Sequence, residues 1–376
     1  MKRVFVGCLL AAICGFGVAS VAGAQELLVA DVVELSGGGA SNGVNWKQGL
    51  ELAVDEINAG GGILGRKIKL EHLDTQTNAA VTRAMIQKSL DDRPFAIMGP
   101  IYSGPVKASM SLAQSAEVPQ FVGAQAGEIT ELGNGFIFRA NISQVVGMRK
   151  ITDFMQSRLH AKRLALVWVN NDFGKGGRAA LTKMLATRGI EVVVDIPIEY
   201  GQTSYAVEIG KIKESKADVV FPYMTAEDTA RFVLEYKRNG LTQPMVGETT
   251  LLQQNVLDLV GHAADGAYSH LSLSADAPVE TVKVLRDKFN VRFKAIPDHN
   301  AISSYTAMYA LKAAAEKAKS TDGKAVAQAL HGLTISAKMV PNILLDSTWD
   351  DKGDLQRPSF IAQAADGKLK IVGTLE

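Results

Sequence analysis

The sequence predicts an α/β protein built as two doubly wound lobes. Three observations carry this expectation. Short apolar runs alternate with helical patterns along the chain, the alternation that sets parallel strands between helices on both sheet faces. The alternation runs once from Leu27 and restarts at Arg163. With 376 residues the chain is long for a single core and suits two domains.

The elements follow in order. Leu27 to Val33 reads as a buried strand. From Val44 to Asn58, apolar Trp46, Leu50, Ala53, Val54 and Ile57 recur at helical spacing. Gly60-Gly61-Gly62 ends that helix with a left-handed cap. A strand over Lys67 to Leu73, a helix over Asn78 to Leu90 and a strand over Phe95 to Met98 come next. A helix from about Gly104 and a strand over Pro119 to Val122 close the first series. The second series has strands over Arg163 to Val169, Glu191 to Ile196, Asp218 to Phe221 and Met245-Val246. Its helices span Gly174 to Arg188, Ala206 to Lys213 and Ala226 to Asn239. Ala301 to Lys319 is a long apolar helix that fits neither series and packs on one lobe. Ser359 to Ala364 and Leu369 to Val372 flank Asp366-Gly367 and read as a β-hairpin.

The N-terminus carries the marks of export. Lys2 and Arg3 precede an apolar run from Val4 to Val21, which ends in Ala22-Gly23-Ala24. That is a secretory signal peptide, with cleavage expected after Ala24. Gly7, Gly15 and Gly17 interrupt the run, whereas a membrane anchor wants about 20 apolar residues. Phe5-Val6-Gly7-Cys8 sits too early for a lipobox. The mature chain is then 376 − 24 = 352 residues, with 40 − 2 = 38 basic against 39 acidic side chains. This balance, with no basic run, excludes a nucleic-acid surface. No later stretch approaches a membrane span. Cys8 and Cys14 both lie in the removed segment, so disulfide, thiolate and Cys-metal chemistry are excluded from the mature chain.

Catalytic constellations are missing from the sequence. The histidines (His72, His160, His262, His270, His299 and His331) are scattered and read as surface or capping residues. There is no metal-binding HExxH, no GxSxG nucleophile elbow and no phosphate-binding GxxxxGK[ST]. Gly37-Gly38-Gly39 follows a strand and precedes a helix, but Asn42 stands where a dinucleotide fingerprint needs its third glycine. No cofactor and no metal is expected. Small and hydroxyl residues do gather at three strand ends: Ser36-Gly37-Gly38, Tyr102-Ser103-Gly104 and Gly123-Ala124-Gln125-Ala126. Helix N-termini at such places hold carboxylates, and small residues let a ligand approach the backbone. Together the three point to a binding cleft.

Several segments are specific enough to name a likeness. They are Gly49-Leu50-Glu51-Leu52-Ala53-Val54-Asp55-Glu56-Ile57-Asn58-Ala59-Gly60-Gly61-Gly62-Ile63-Leu64-Gly65-Arg66, Asp74-Thr75-Gln76-Thr77, and Ile97-Met98-Gly99-Pro100 with Ser103. Asn171-Asp172-Phe173-Gly174-Lys175-Gly176 and Trp349-Asp350-Asp351-Lys352-Gly353-Asp354-Leu355 complete the set. Through these the chain resembles the periplasmic solute-binding proteins of ABC importers, of the leucine/isoleucine/valine-binding type. The resemblance covers essentially the whole mature chain. It implies a type I periplasmic binding fold, with two lobes joined by three hinge crossovers and closing like a flytrap. Lobe one would take residues 25–143 and 271–344, and lobe two residues 144–270 and 345–376.

The resemblance also implies a site. Ser103 and the backbone of Gly123, Ala124 and Gln125 match the groups that hold the ligand carboxylate. Asn42 and Trp46 fall on the first pocket-lining loop, with Tyr102 beside them. Lobe two would supply Phe173, Tyr223, Thr225, Glu248 and Thr249. Amino-acid binders of the family commonly pair the ligand ammonium with a carboxylate near the first crossover. Here Asn141-Ile142-Ser143-Gln144 has none. Either Glu248 serves, or the ligand is a carboxylate without an ammonium, its body resting on Trp46, Tyr102, Phe173 and Tyr223.

The leading expectation is a monomeric periplasmic solute receptor that hands its ligand to an inner-membrane permease and does no chemistry. A periplasmic sensor subunit shares every one of these features. A two-domain exported enzyme would need an acid/base pair in the cleft, and no motif supplies one.

Overall fold

The computed structural model describes residue 1 and residues 25–375. The expected signal peptide, with its basic and apolar segments up to Ala24, lies outside the described residues.

The first series forms β1 (Leu27–Val33), α1 (Ala40–Ala59), β2 (Ile68–Asp74), α2 (Ala79–Asp91), β3 (Ala96–Met98), α3 (Ser103–Ser115), β4 (Gln120–Val122) and β5 (Ile137–Arg139). Its five strands are all parallel, in the order β2-β1-β3-β4-β5. In such a sheet ligands sit beyond the carboxyl ends of the strands, where the order reverses; here that is between β1 and β3. The left-handed backbone after α1 falls at Gly61 and Gly62, while Gly60 keeps a negative φ of −76°.

The second series opens with α4 (Gln144–Ser157), β6 (Arg163–Val169), α5 (Asp172–Ala186), β7 (Glu191–Ile198), α6 (Ala206–Glu214), β8 (Val219–Tyr223) and α7 (Ala226–Arg238). It ends with β9 (Val246–Gly247), α8 (Gln254–Val260) and β10 (Tyr268–Leu271). Strands β7, β6 and β8 are parallel, and a bridge from Val220 to Met245 carries the pairing on towards β9 and β10.

The chain then returns to the first sheet. α9 (Glu280–Phe293), α10 (His299–Ala318) and α11 (Gly323–Leu330) pack there, and Ser304 Oγ donates to Trp46 O at 2.6 Å. This accounts for the apolar α10: it lies against α1 over a shared core of Trp46, Leu50, Ile302 and Met308. A small antiparallel sheet follows, of β11 (Thr334–Ile335), β12 (Ser347–Trp349) and β13 (Leu355–Gln356). Trp349 and Leu355 belong to the first core; Trp349 meets Phe121 edge-on and donates from Nε1 to Arg139 O at 2.8 Å. The hairpin of β14 (Ser359–Ala365) and β15 (Lys368–Leu375) then adds antiparallel to β10. Asp366 and Gly367 both have positive φ, the geometry a two-residue hairpin turn requires.

No helix among the described residues is long and apolar enough to cross a membrane.

Candidate functional site

A cavity of about 430 Å³ lies where the loops after β1, β3, β4, β6, β8 and β9 meet the start of α10. Helices α1, α3, α5, α7 and α10 all begin at its wall, through Asn42, Ser103, Asp172 with Phe173, Ala226, and His299 with Asn300. Helix N-termini present unpaired N–H groups and partial positive charge, so the cavity is poised for an anion.

The wall beside the first sheet is the more open in its bonding. Ser103 is buried at the start of α3, which has no side-chain cap. Its Oγ accepts a long bond from Ala126 N (3.3 Å), leaving the hydroxyl proton to donate elsewhere. Gln125 accepts from Gln144 N through its carbonyl (2.8 Å), and its side-chain amide is bonded to nothing among the described residues. Beneath them, buried Glu34 accepts from Ile101 N (3.1 Å) and Tyr102 N (3.2 Å), which fixes the loop that launches α3. Burial pushes the Glu34 carboxyl up to about 7, against the pull of those two N–H bonds. Asn42 Nδ2 donates to Tyr102 Oη (3.1 Å), holding that ring at the cavity.

The facing wall is more committed. Asn171 Oδ1 caps Gly174 N (2.9 Å) at the start of α5. A Cβ at Gly174 would fall 1.7 Å from Val169 O, so this motif brings α5 against the end of β6 only with glycine there. Phe173 then stands on the wall, stacked on Tyr223 with centroids 4.3 Å apart. The Thr225 hydroxyl donates to Asp228 Oδ2 (2.9 Å). Ser41 Oγ donates to Glu227 Oε1 (2.9 Å), Asn255 Nδ2 donates to Ser41 Oγ (3.1 Å), and Lys107 pairs with Asp172 (3.4 Å), so polar bonds bridge the two walls.

Of the residues expected from the sequence, Asn42, Tyr102, Ser103, Gly123, Gln125, Phe173 and Thr225 line the cavity. Gly123 does so with its N–H already given to Pro100 O (3.1 Å), so it offers surface rather than a bond. Five others lie elsewhere. Trp46 is fully buried behind Gly123, with Nε1 donating to Asp31 Oδ1 (3.1 Å). Ala124 is buried, its carbonyl bonded by the Arg139 guanidinium (2.6 Å). Tyr223 is fully buried on the far side of Phe173. Glu248 turns away to His270, with Oε2 2.8 Å from Nδ1. Thr249 donates to His270 O (3.3 Å) in the same interior.

The sequence reading missed Thr77, Lys175, Tyr200, Thr250, Gln253, His299 and Asn300. His299 and His270 are buried, where surface or capping histidines were expected. Burial, aided by the nearby positive charge of Arg357, pushes His299 down to about 4, so it is neutral at pH 7. The only hint in the sequence was Asp298 before an apolar run, an N-cap signal that would have started the helix at His299.

Comparison with known proteins agrees with this geometry. The family model described as periplasmic binding protein matches residues 29–368. The chain is similar to the Leu/Ile/Val-binding protein homolog 1 of Brucella abortus (strain 2308), at 24% identity over 99% of both chains. Its structure resembles the branched-chain amino acid transporter substrate-binding protein of Streptococcus pneumoniae in complex with isoleucine (TM-score 0.83, 21% identity, covering 93% of this chain and 98% of that one). It also resembles an ABC-transporter solute-binding protein of R. palustris in complex with benzoate (TM-score 0.85, 22% identity, 93% and 96% covered). At these identities the structural likeness establishes the fold.

Proposed function

The chain belongs to the periplasmic binding protein family, and on that premise we propose that it captures a small carboxylate in the cavity between its lobes and delivers it to an inner-membrane ABC permease. The carrying observation is the cavity itself. Five helices begin at this cavity, from both of its walls, and the free hydroxyl of Ser103 and free amide of Gln125 face it. Such a site supplies donors to a carboxylate, and on this reading the ligand leaves unaltered. The working place is the periplasm, reached through the N-terminal segment.

We take lobe one as residues 25–143 with 271–356, and lobe two as 144–270 with 357–375. The pairing of β12 and β13 with β11, and the packing of Trp349 in the first core, support a third crossover at Arg357-Pro358. On this reading it comes later than the expected residue 345.

A carboxylate without an ammonium suits the wall better than an amino acid. Glu248 is engaged with His270, and Asp172, the only carboxylate lining the cavity among the described residues, pairs with Lys107. A buried ammonium would stand unpaired, at a cost of several kcal/mol on the order of other buried charges. Phe173 and Tyr102 give an aromatic or aliphatic body its apolar contacts. The test is calorimetric titration with branched-chain amino acids and with aromatic and aliphatic acids, the bound compound then being recovered and its mass measured. Tight binding of an acid that lacks an ammonium, recovered intact, is the expected result. A changed mass ends the receptor reading, and binding confined to amino acids ends the assignment of ligand type.

A further inference from the structure

The segment from Trp349 to Leu355 lines no part of the cavity, yet its bonds lead to the loop that carries Gln125. Arg139, the last residue of β5, donates its backbone N–H to Gly353 O (3.0 Å), and its carbonyl accepts from Trp349 Nε1 (2.8 Å), 210 positions away in sequence. Gly353 has a φ of +80°, and a Cβ there would fall 2.2 Å from Ile137 O, so glycine lets this turn close onto β5. The Arg139 side chain is fully buried, with Nε 2.8 Å from Asp354 Oδ1. Trp349, Gly353 and Asp354 thus hold Arg139 by main chain and side chain together.

The other end of the guanidinium grips the loop after β4. Nη1 donates to Ala124 O (2.6 Å). Nη2 donates to Ala126 O (2.6 Å) and Gly127 O (3.2 Å), with Thr130 Oγ1 at 3.4 Å. The carbonyls in between are taken by the residues that follow Arg139. Gly123 O accepts a long bond from Asn141 Nδ2 (3.5 Å), and Gln125 O accepts from Gln144 N (2.8 Å). Five consecutive carbonyls, Gly123 to Gly127, are therefore drawn onto residues 139–144. A carbonyl oxygen turned to the cavity would repel a carboxylate; with these drawn back, the loop meets the cavity through Gly123 and the Gln125 side chain. Burying a guanidinium is costly, and stability alone seldom repays it. Its planar fork reaches carbonyls two residues apart at a fixed spacing, which a flexible ammonium does not.

We propose that Arg139 is a positioning residue for ligand binding: seated on Trp349, Gly353 and Asp354, it sets the 123–127 loop so that the Gln125 amide meets the ligand carboxylate. This rests on the carboxylate-receptor reading above.

Calorimetry on the purified protein with benzoate, hexanoate and isoleucine tests it, the tightest binder of the three serving as the probe. Arg139→Lys keeps the charge and loses the fork. It is expected to bind the probe about tenfold or more weakly, at a temperature where circular dichroism shows it folded. Asp354→Asn removes the charge that braces the guanidinium and should weaken binding about fivefold; it answers the question if Arg139→Lys does not fold. A double-mutant cycle separates positioning from stability. With Gln125→Ala already in place, either substitution should cost about twofold or less, because the group being positioned is gone. Unchanged affinity beside a lowered urea midpoint overturns the proposal and makes Arg139 a staple of the fold. So does an affinity loss of the same size with and without Gln125. Failure of all three acids to bind the native protein overturns the carboxylate reading and the positioning role with it.

Discussion

The two walls of the cavity use the same local device, a strand end leading into a helix N-terminus, and spend their polar groups differently. On the first-sheet wall the Ser103 hydroxyl and the Gln125 amide are left for a ligand. On the facing wall the Thr225 hydroxyl is held by Asp228 and Phe173 by the Tyr223 ring, while Glu248, off the cavity, is held by His270. Residues at matching positions of a fold therefore do different work. The first wall keeps these two groups unpaired, whereas Thr225 and Phe173 on the other are tied to their neighbours. Substitutions on the first wall should cost affinity, and those on the second should cost stability.

The largest effect is expected from Glu248→Ala. Removing one member of a buried carboxylate–imidazole pair leaves the other uncompensated, a loss of about 3 kcal/mol. Urea unfolding should register that loss while ligand affinity stays within about threefold, since Glu248 lies off the cavity. A large drop in affinity with intact stability would reverse the roles of the walls. Ser103→Ala should do the opposite, weakening carboxylate binding by about 1 to 3 kcal/mol in calorimetry and scarcely moving the unfolding midpoint. Unchanged affinity would remove Ser103 from the site. Thr225→Val should lower stability by about 1 kcal/mol, through the lost bond to buried Asp228, and leave binding in place.

A further effect depends on pH. Glu34 has a folded pKa raised to about 7 from 4.5. Its contribution to stability is full below the unfolded value, falls as pH rises from 4.5 and levels off above about 7. Glu34→Gln cannot ionise, so its thermal midpoint should gain on the native protein across that window. Parallel curves for the two proteins would show that Glu34 does not titrate there. His299 works in the other direction: with a folded pKa of about 4 against 6.5, its contribution is present above 6.5 and is lost as pH falls towards 4.

Much of the first wall was legible in the sequence, because its signals are local. Small residues at Ser36-Gly37-Gly38, Ser103-Gly104 and Gly123 sit between a strand and a helix, and their spacing alone marks a loop that a ligand can approach. The short elements escaped that reading. β5, β11, β12 and β13 have two or three residues each and fall outside the strand–helix alternation that marked the equally short β3, β4 and β9. The aromatic residues misled for a related reason. Trp46 lies in the second turn of α1 and Phe173 at the start of α5, and only packing decides that Trp46 is buried on Asp31 while Phe173 lines the cavity.

What the sequence by itself determined is the alternation of strands and helices in two series, and the small-residue loops where those helices begin. Both follow from side-chain periodicity and backbone freedom within a few residues. What only the tertiary structure decided is partnership between distant residues. Glu248 takes His270, 22 positions away, and Asn141 accepts from Ser303, 162 away. Gln253, His299 and Asn300 come together at the cavity, each with a side-chain atom that has no partner among the described residues. Hydrogen bonds and burial depend on which groups the topology brings within reach, and no local pattern records that distance.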